Sequence, residues 1–224
     1  MAPWDILFAV QEKDLVARVQ AFIDGYKNHP EYQGFDASLM RALKVESATI
    51  SRADNSLTPI AKTTFSVLVS PNLQNPRGFM HGGAQALLVD MCTTMAVAPL
   101  SSKDFWHFGG LTRTLNVVCL QPVPGNEVVY VDCEVRGIGK RLAHITCALR
   151  NAKGDVLALG EHGKAAIPLA QKYPTQITES RVRSEAHNHG RILKGSTRKR
   201  GNCGKSKRPE AENVDDPATK LVLF

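Results

Sequence analysis

The amino-acid sequence predicts an α+β fold in which an antiparallel sheet wraps around one long central helix. A glycine-rich loop, residues 75–83, leads into fifteen residues, 84–98, that contain no Gly or Pro and place apolar side chains at helical spacing. Two strand-like runs precede this loop, at 40–52 and 59–70. Four more follow the helix with no second helix between them, at 110–120, 126–137, 141–151 and 155–166. This order excludes an alternating strand-helix-strand fold with a parallel sheet.

Residues 11–28 show an amphipathic helical pattern ahead of the first strand, and the break at Asn28-His29-Pro30 ends it. Its apolar stripe contains Leu15, Val16, Val19, Phe22 and Ile23. We assign residues 1–39 to an N-terminal helical extension that packs over the sheet, and residues 40–167 to the main domain. The run at 59–70 alternates partly between apolar and polar side chains, which is typical of a sheet with one covered face.

Turn-forming residues separate the four strands that follow the helix. They are Pro122, Pro124-Gly125, Gly139-Lys140 and Lys153-Gly154. Because short turns join neighbouring antiparallel strands, these four strands can form a meander.

Asp90 is the strongly polar residue of the apolar helix, and a carboxylate in such a place is costly unless it has a purpose. Gly82 and Gly83 precede the helix and leave open backbone N–H groups at the positive end of the helix dipole. Such a site suits a carbonyl oxygen that gains negative charge. Two alternatives stay open at this point. The glycines could serve close packing alone, and the carboxylate could be neutralised by Thr93, Thr94 or Arg113.

The glycine loop and the helix carry a family resemblance. Its residues are Asn75, Gly78, His81-Gly82-Gly83 and Asp90, followed by the segments 111–122, 139–145 and 154–160. In order and spacing they resemble the signature of hotdog-fold acyl-CoA thioesterases, in the branch that includes the phenylacetate-pathway thioesterases. The resemblance covers residues 40–167. It implies the hotdog fold and an enzyme that hydrolyses an acyl-CoA thioester to the free acid and CoA.

The resemblance also implies roles for single residues. Gly82 would bind the thioester carbonyl, aided by Gly83 and by the side chain of Asn75, while Asp90 would be the general base or the nucleophile. Thr112 takes the place of a family Ser that positions the attacking water. Asn75 also has a structural reading, since Asn-Pro commonly starts a turn. A threonine is likewise common in a strand, and Thr114 is the nearest substitute for Thr112.

Further residues are candidates for substrate binding. By the resemblance, His81 is a structural part of the binding loop, and no Ser or Cys stands in a G-x-S-x-G setting that would support a catalytic triad. Lys140 and Arg141, at a turn, are candidates for contacts with the phosphates of CoA, or are simply exposed cations. The acyl tunnel could be lined by Phe79, Met80, Phe105, Trp106 and Phe108.

Hydrolysis of an activated thioester needs water, a base and a polarised carbonyl, so we expect no cofactor and no metal ion. A single sheet of this kind leaves one edge and one side of its active cleft uncovered, so we expect a homodimer or a dimer of dimers. By the resemblance, each site takes Asn75 and Gly82 from one subunit and Asp90 and Thr112 from the other.

Two other functions stay open. A hotdog hydratase or dehydratase acting on an acyl-CoA usually carries an Asp and a downstream His in one loop-helix segment, but no His follows Asp90 before His107. A non-catalytic acyl-CoA-binding protein would leave the base idle, which the presence of Asn75, Gly82 and Asp90 argues against.

The basic charge of the chain lies at its C-terminal end. Residues 168–224 carry 12 Lys and Arg against 6 Asp and Glu, so they supply +6 of the formal net charge of +7. This composition cannot bury much apolar surface, and we expect a disordered tail. Short basic runs such as 197–200 and 205–208 match polyanion-binding patterns by chance, so we expect no nucleic-acid contact from the tail.

The sequence favours a cytoplasmic protein, with a mitochondrial location left open. Residues 1–10 lack a basic start and contain Asp5, unlike a signal or transit peptide. Residues 84–100 are apolar but short for a bilayer, so we expect no membrane span. No C-x-x-C pair occurs, and four cysteines lie in helix-like or strand-like runs, as small buried residues of a reducing compartment: Cys92, Cys119, Cys133 and Cys147.

Overall fold

A computed structural model describes residues 8–51 and 60–167 of the chain. The tail at 168–224 lies outside the described residues, so its disorder and the domain boundaries stay predictions. Two short 3-10 turns occur in the described part, at Pro71–Leu73 and Ala98–Leu100. The helices and strands there are α1 (Leu15–Asn28), α2 (Ala37–Ala42), β1 (Lys44–Ser51), β2 (Ile60–Leu68), α3 (Gly82–Met95), β3 (Leu111–Cys119), β4 (Val128–Ile138), β5 (Leu142–Arg150) and β6 (Val156–Ala165).

The six strands form one antiparallel sheet in the order β1-β2-β4-β5-β6-β3. The predicted antiparallel sheet with one central helix is therefore confirmed, but the meander is only partly correct, because β3 pairs with β6 and not with β4. The connection from β3 to β4 makes no tight turn. It runs past the glycine loop, where Val123 is buried and its carbonyl accepts the Met80 N–H at 2.8 Å.

Helix α3 packs against β3, β4, β5 and β6 and forms the centre of the core. It begins at Gly82, two residues earlier than the sequence predicts, because the His81 side chain caps it. With the 3-10 turn that follows, Gly82–Leu100 is long and apolar enough to cross a membrane by length and composition alone, which corrects the expectation that this run is too short. In the structure 56% of this stretch is buried inside the domain, as in a core helix.

The N-terminal part differs from the predicted boundaries in two places. Helix α1 starts at Leu15, four residues late, because Asp14 is its N-cap and accepts a backbone N–H of the first turn at 2.7 Å. Residues 37–42 form helix α2, so the first strand starts at Lys44 and not at residue 40. The reason is composition, since Ala, Leu, Met and Arg are good helix formers.

Strand β3 is an edge of the sheet and exposes apolar side chains. Together with the residue that follows the strand, they are Leu111, Leu115, Val118 and Leu120. An edge strand presents unpaired backbone groups, and apolar side chains beside them favour pairing with another strand. The β3 edge is therefore a surface that favours pairing with another strand.

Cys92, Cys133 and Cys147 are buried as predicted, whereas Cys119 is exposed because it lies on β3. Burial raises the pKa of the Cys92 and Cys133 thiols well above the usual range. These two thiols therefore act as small apolar side chains.

Candidate active site

The side chain of Asn75 holds the glycine loop in shape. Its Oδ1 accepts the backbone N–H of Arg77 at 2.9 Å and that of Phe79 at 3.3 Å, around Gly78 at a φ of 79°. The structural reading of Asn-Pro as a turn starter is thus correct. It leaves the amide nitrogen of Asn75 available, since no described residue accepts a hydrogen bond from it. The same side chain can shape the loop and donate to a substrate oxygen.

The first residue of α3, Gly82, presents an open backbone N–H. Within the described residues no acceptor reaches it, whereas the Gly83 N–H donates to Nδ1 of His81 at 3.0 Å. A Cβ at Gly82 would meet no atom within 4 Å, so packing inside this subunit does not require a glycine there. The position instead offers free space at the positive end of the helix dipole.

Asp90 is accessible rather than buried, with a side chain 32% exposed. Its Oδ1 accepts the hydroxyl of Thr112 at 3.0 Å. The neutralising partners considered from the sequence are engaged elsewhere or lie apart: Thr93 bonds the Val89 carbonyl at 2.5 Å, and no described contact joins the carboxylate to Arg113. The carboxylate therefore faces solvent with one hydroxyl beside it.

His162 completes this group, and sequence reasoning missed it. The imidazole is fully buried in β6, with Nε2 at 3.0 Å from the Thr112 hydroxyl and 3.5 Å from Asp90 Oδ1. Its Nδ1 lies 2.6 Å from the hydroxyl of Thr93. In the neutral tautomer with the proton on Nε2, His162 donates to Thr112 and Thr112 donates to Asp90, while Nδ1 accepts the Thr93 hydroxyl, which then shares its single proton between Nδ1 and the Val89 carbonyl. The other neutral tautomer would take the Thr112 proton away from Asp90, so the first one supports the carboxylate.

The electrostatic surroundings keep His162 neutral. Burial, and to a smaller extent the nearby Lys164 ammonium, lowers its pKa to about 4, with the Asp90 carboxylate opposing both effects in part. His162 is thus uncharged near pH 7 and acts as a hydrogen-bonding support, reaching Asp90 chiefly through Thr112.

Lys164 is a second buried polar side chain that sequence reasoning missed. It is only 2% exposed and donates from Nζ to the Thr94 hydroxyl at 2.8 Å, one helical turn beyond Asp90. Burial lowers its pKa to about 8, and the attraction of the Asp90 carboxylate limits that fall. The ammonium form therefore predominates near pH 7 and places positive charge behind the carboxylate.

The lowered pKa of His162 predicts an acid-sensitive fold. Between about pH 6.5 and pH 4 the unfolded state binds a proton at this residue that the folded state does not, so stability falls as the pH falls through that window. From pH 7 to pH 5 the loss is about 2 kcal/mol. His162→Gln keeps a donor and an acceptor but cannot titrate, so urea unfolding should show a weaker pH dependence by that amount. Equal pH dependence in both proteins would contradict the buried neutral imidazole.

One subunit cannot complete the site with Gly82 and Asp90 alone. The two residues belong to the same straight helix, eight positions apart, which corresponds to a rise of about 12 Å. A group that polarises a carbonyl and a group that attacks it must both lie about 3 Å from the reacting atoms. These residues can therefore serve one thioester only if two copies of the helix come together.

Lys140 and Arg141 do not lie among the residues around Asp90. They line a separate cleft of about 440 Å³, and the aromatic side chains of Phe105, Trp106 and Phe108 line the same cleft. The other candidates for the acyl tunnel lie elsewhere, because Phe79 is exposed on the glycine loop and Met80 is buried in the core. Within residues 8–51 and 60–167, no group of three or more His, Cys, Asp or Glu side chains could hold a metal ion.

Comparison with known proteins points to one family. Residues 77–158 match the family model described as thioesterase superfamily, and the match contains Gly82, Asp90 and Thr112. Over this stretch the domain is similar to the thioesterase superfamily. A solved structure, thioesterase superfamily member 2 from zebrafish, matches at a TM-score of 0.54 and 25% identity, over 66% of this chain and 98% of the other. The hotdog fold implied by the sequence resemblance is thereby confirmed.

Curated relatives of this domain include human acyl-coenzyme A thioesterase 13, at 32% identity over 91 residues, or 40% of this chain and 62% of the relative. Mouse acyl-coenzyme A thioesterase THEM4 matches at 25% identity over 142 residues, or 63% of this chain and 50% of the relative. The chain spans less than two thirds of the length of these relatives.

Proposed function

We propose that the protein is an acyl-CoA thioesterase that hydrolyses the thioester to a free acid and CoA. The observation that carries the proposal is the accessible Asp90 carboxylate, held by Thr112 at 3.0 Å and backed by the buried His162. The open Gly82 N–H supplies the second requirement, a donor for the carbonyl oxygen. The match to the thioesterase superfamily model and the similarity to acyl-coenzyme A thioesterases support the same reaction.

The carbonyl oxygen binds at Gly82 N–H and the Asn75 amide of one subunit, and Asp90 of the other subunit acts on the carbonyl carbon. As general base, Asp90 takes a proton from water while the water oxygen attacks. The carbon–sulfur bond then breaks, and the proton passes to the departing CoA thiolate. As nucleophile, Asp90 instead forms an acyl anhydride and expels the thiolate, and water hydrolyses the anhydride. In both routes the Thr112 hydroxyl, oriented by His162, holds Asp90 or the water in place.

The proposed enzyme is a homodimer, or a dimer of such dimers. Two features of one subunit support this assembly. The first is the rise of about 12 Å that separates Gly82 from Asp90 in α3. If α3 of a second subunit packs antiparallel to it, Gly82 of one subunit lies near Asp90 of the other. The second is the exposed apolar edge of β3, which a second copy of β3 would cover.

The remaining loop residues have supporting roles in the proposal. The His81 ring caps α3 through the Gly83 N–H and so aims the neighbouring Gly82 N–H at the substrate. Lys140 and Arg141 lie in the separate cleft, where they meet the phosphates of CoA. We propose a cytoplasmic location for this activity.

A hydratase or dehydratase is the second candidate, because the structure brings a histidine within 3.5 Å of Asp90. Such an enzyme needs both groups at the substrate to add water across, or remove it from, the acyl chain. His162 is fully buried behind Thr112, whereas Asp90 is 32% exposed. This arrangement lets the carboxylate reach a substrate but not the imidazole, and so favours hydrolysis.

One assay on the purified chain separates the two activities. Saturated and 2-enoyl-CoA thioesters of several chain lengths are supplied, free thiol is followed with a thiol reagent, and the enoyl absorbance is followed in parallel. Thioesterase activity predicts thiol release from saturated substrates and no consumption of the enoyl group. Loss of the enoyl absorbance without thiol release would establish the hydratase, and neither change across the panel would leave a non-catalytic binder.

A further inference from the structure

Lys164 carries a buried charge that the proposed reaction leaves unused. Its side chain is 2% exposed, and among the described residues its ammonium has one hydrogen-bond acceptor, the Thr94 hydroxyl at 2.8 Å. An ammonium has three N–H donors, and taking it out of water costs more than one bond to a neutral hydroxyl returns. A methionine would fill the same space without that cost. Packing alone therefore does not account for the charge.

Helix α3 and strand β6 place Lys164 one helical turn from Asp90. Thr94 follows Asp90 by four positions on α3, so these two side chains lie about 6 Å apart on one face of the helix. His162 and Lys164 are two residues apart in β6 and share its inner face. The first reaches Asp90 at 3.5 Å, and the second reaches Thr94 at 2.8 Å. The ammonium therefore acts on the carboxylate through its charge and not through a direct ion pair.

The strands that pack on α3 bring few titratable groups to Asp90. Strand β6 brings His162, which is neutral near pH 7, and Lys164, which is charged. Strand β3 brings the Thr112 hydroxyl, and Arg113 beside it makes no described contact with the carboxylate. The thiols that β3, β4 and β5 turn toward the helix lie beside Gln85 or Cys92 instead: Cys119, Cys133 and Cys147. Within this group Lys164 is thus the source of positive charge.

The carboxylate of Asp90 needs such a charge most when the site is covered. In one subunit it is 32% exposed and water stabilises its charge. A bound thioester and the second subunit of the proposed site would both remove water from it. Loss of water favours the protonated carboxyl, which can neither take a proton nor attack a carbonyl carbon. A cation held inside the fold opposes that change, and neither substrate nor salt displaces it.

We infer that Lys164 is a positioning residue whose buried ammonium keeps the Asp90 carboxylate charged when substrate covers it. The inference rests on the proposed function for the reaction that it serves. Lys164 touches no substrate and acts through Asp90. Two neighbouring residues of β6 then divide the support of the carboxylate, since His162 orients it through Thr112 and Lys164 supplies its counter-charge.

The pH dependence of kcat/KM tests the inference with two neutral variants. Lys164→Gln keeps a donor for the Thr94 hydroxyl and Lys164→Met does not, so the pair separates the charge from the hydrogen bond. Both should fold, because the cost of burying the charge is removed with it. In both, the acidic midpoint of kcat/KM should rise by at least about one pH unit. Below that midpoint the variants should be at least about tenfold less active than wild type, and at pH 8 all three should agree within about threefold.

Lys62→Met is the matched control, because Lys62 is an exposed lysine of β2 that lies 3.8 Å from Glu134 and away from α3. It should leave the whole pH profile unchanged. A loss of activity that is equal at every pH in the Lys164 variants would assign a purely structural role to Lys164 and overturn the inference. A wild-type profile in Lys164→Gln would assign the effect to the hydrogen bond and overturn it as well.

Carbon NMR of protein labelled at the aspartate carboxyl groups separates this inference from the proposed activity, because it needs no turnover. The Asp90 signal is identified by its loss in Asp90→Asn. Its titration midpoint should be at least about one pH unit higher in both Lys164 variants than in wild type and Lys62→Met. That shift, together with no thiol release by the wild type, would contradict the hydrolase and keep the counter-charge. Thiol release by the wild type with equal midpoints in all four proteins would keep the hydrolase and overturn the inference.

Discussion

Asp90→Asn should lower kcat for acyl-CoA hydrolysis by at least about 10²–10³-fold, as expected for loss of an essential base or nucleophile. The amide keeps the shape of the carboxylate, and its oxygen can still accept the Thr112 hydroxyl, so folding and assembly should be preserved. KM should change little, because the proposed groups that hold the substrate, the carbonyl donors at Gly82 and Asn75, are unchanged. Steady-state thiol release and the apparent mass of the variant provide the two measurements.

Asp24→Asn is the matched control for this substitution. Asp24 also lies on a helix, half-exposed in α1 and 3.5 Å from Lys27, on an element that carries no candidate site residue. Its substitution should leave kcat within twofold of wild type, since exposed ion pairs contribute little. A kcat for Asp90→Asn above a tenth of the wild-type value would contradict a direct role of the carboxylate in the reaction.

Most of the fold was predictable because it rests on local patterns. The apolar spacing of α3 and the breaks at Gly139 and Gly154 act within short windows of sequence, and the elements they predict are present. The pairing of β3 with β6 was not predictable in the same way. Strands that follow one another commonly pair, but here β5 and β6 lie between β4 and β3 in the sheet, an order that no local pattern marks.

The candidate site also contains residues that local sequence predicts and residues that only the folded structure brings together. Residues on the loop and the helix, from Asn75 to Asp90, were found because they lie close together in a recognisable order. His162 and Lys164 were missed because their link to Asp90 spans some seventy residues and exists only after β6 packs on α3. A signal was present nonetheless. The two residues alternate with Glu161 and Gly163 in a strand, which places both on one face, and that face covers the apolar helix.

The proposed division of the site between two subunits predicts the second large effect. Asn75→Ala removes a carbonyl donor from one subunit and should also impair the enzyme severely, since a single such donor contributes about 10²–10³ in rate. Asp90→Asn removes the reacting carboxylate. In the proposed dimer, the Asp90 of each subunit acts in the site whose Asn75 comes from the other subunit. In a dimer that contains one chain of each variant, one site then has both groups intact and the other has neither.

The quantity to measure is thiol release after the two variants are unfolded together and refolded at equal concentration. Random pairing makes about half of the dimers mixed, and one of their two sites is intact, so activity should return to roughly a quarter of wild type from two nearly inactive parents. Each variant refolded alone provides the baseline, and mass spectrometry confirms the mixed dimers. If mixed dimers form and activity stays at that baseline, Asn75 and Asp90 do not act across the subunit boundary on one thioester, and the shared site is contradicted.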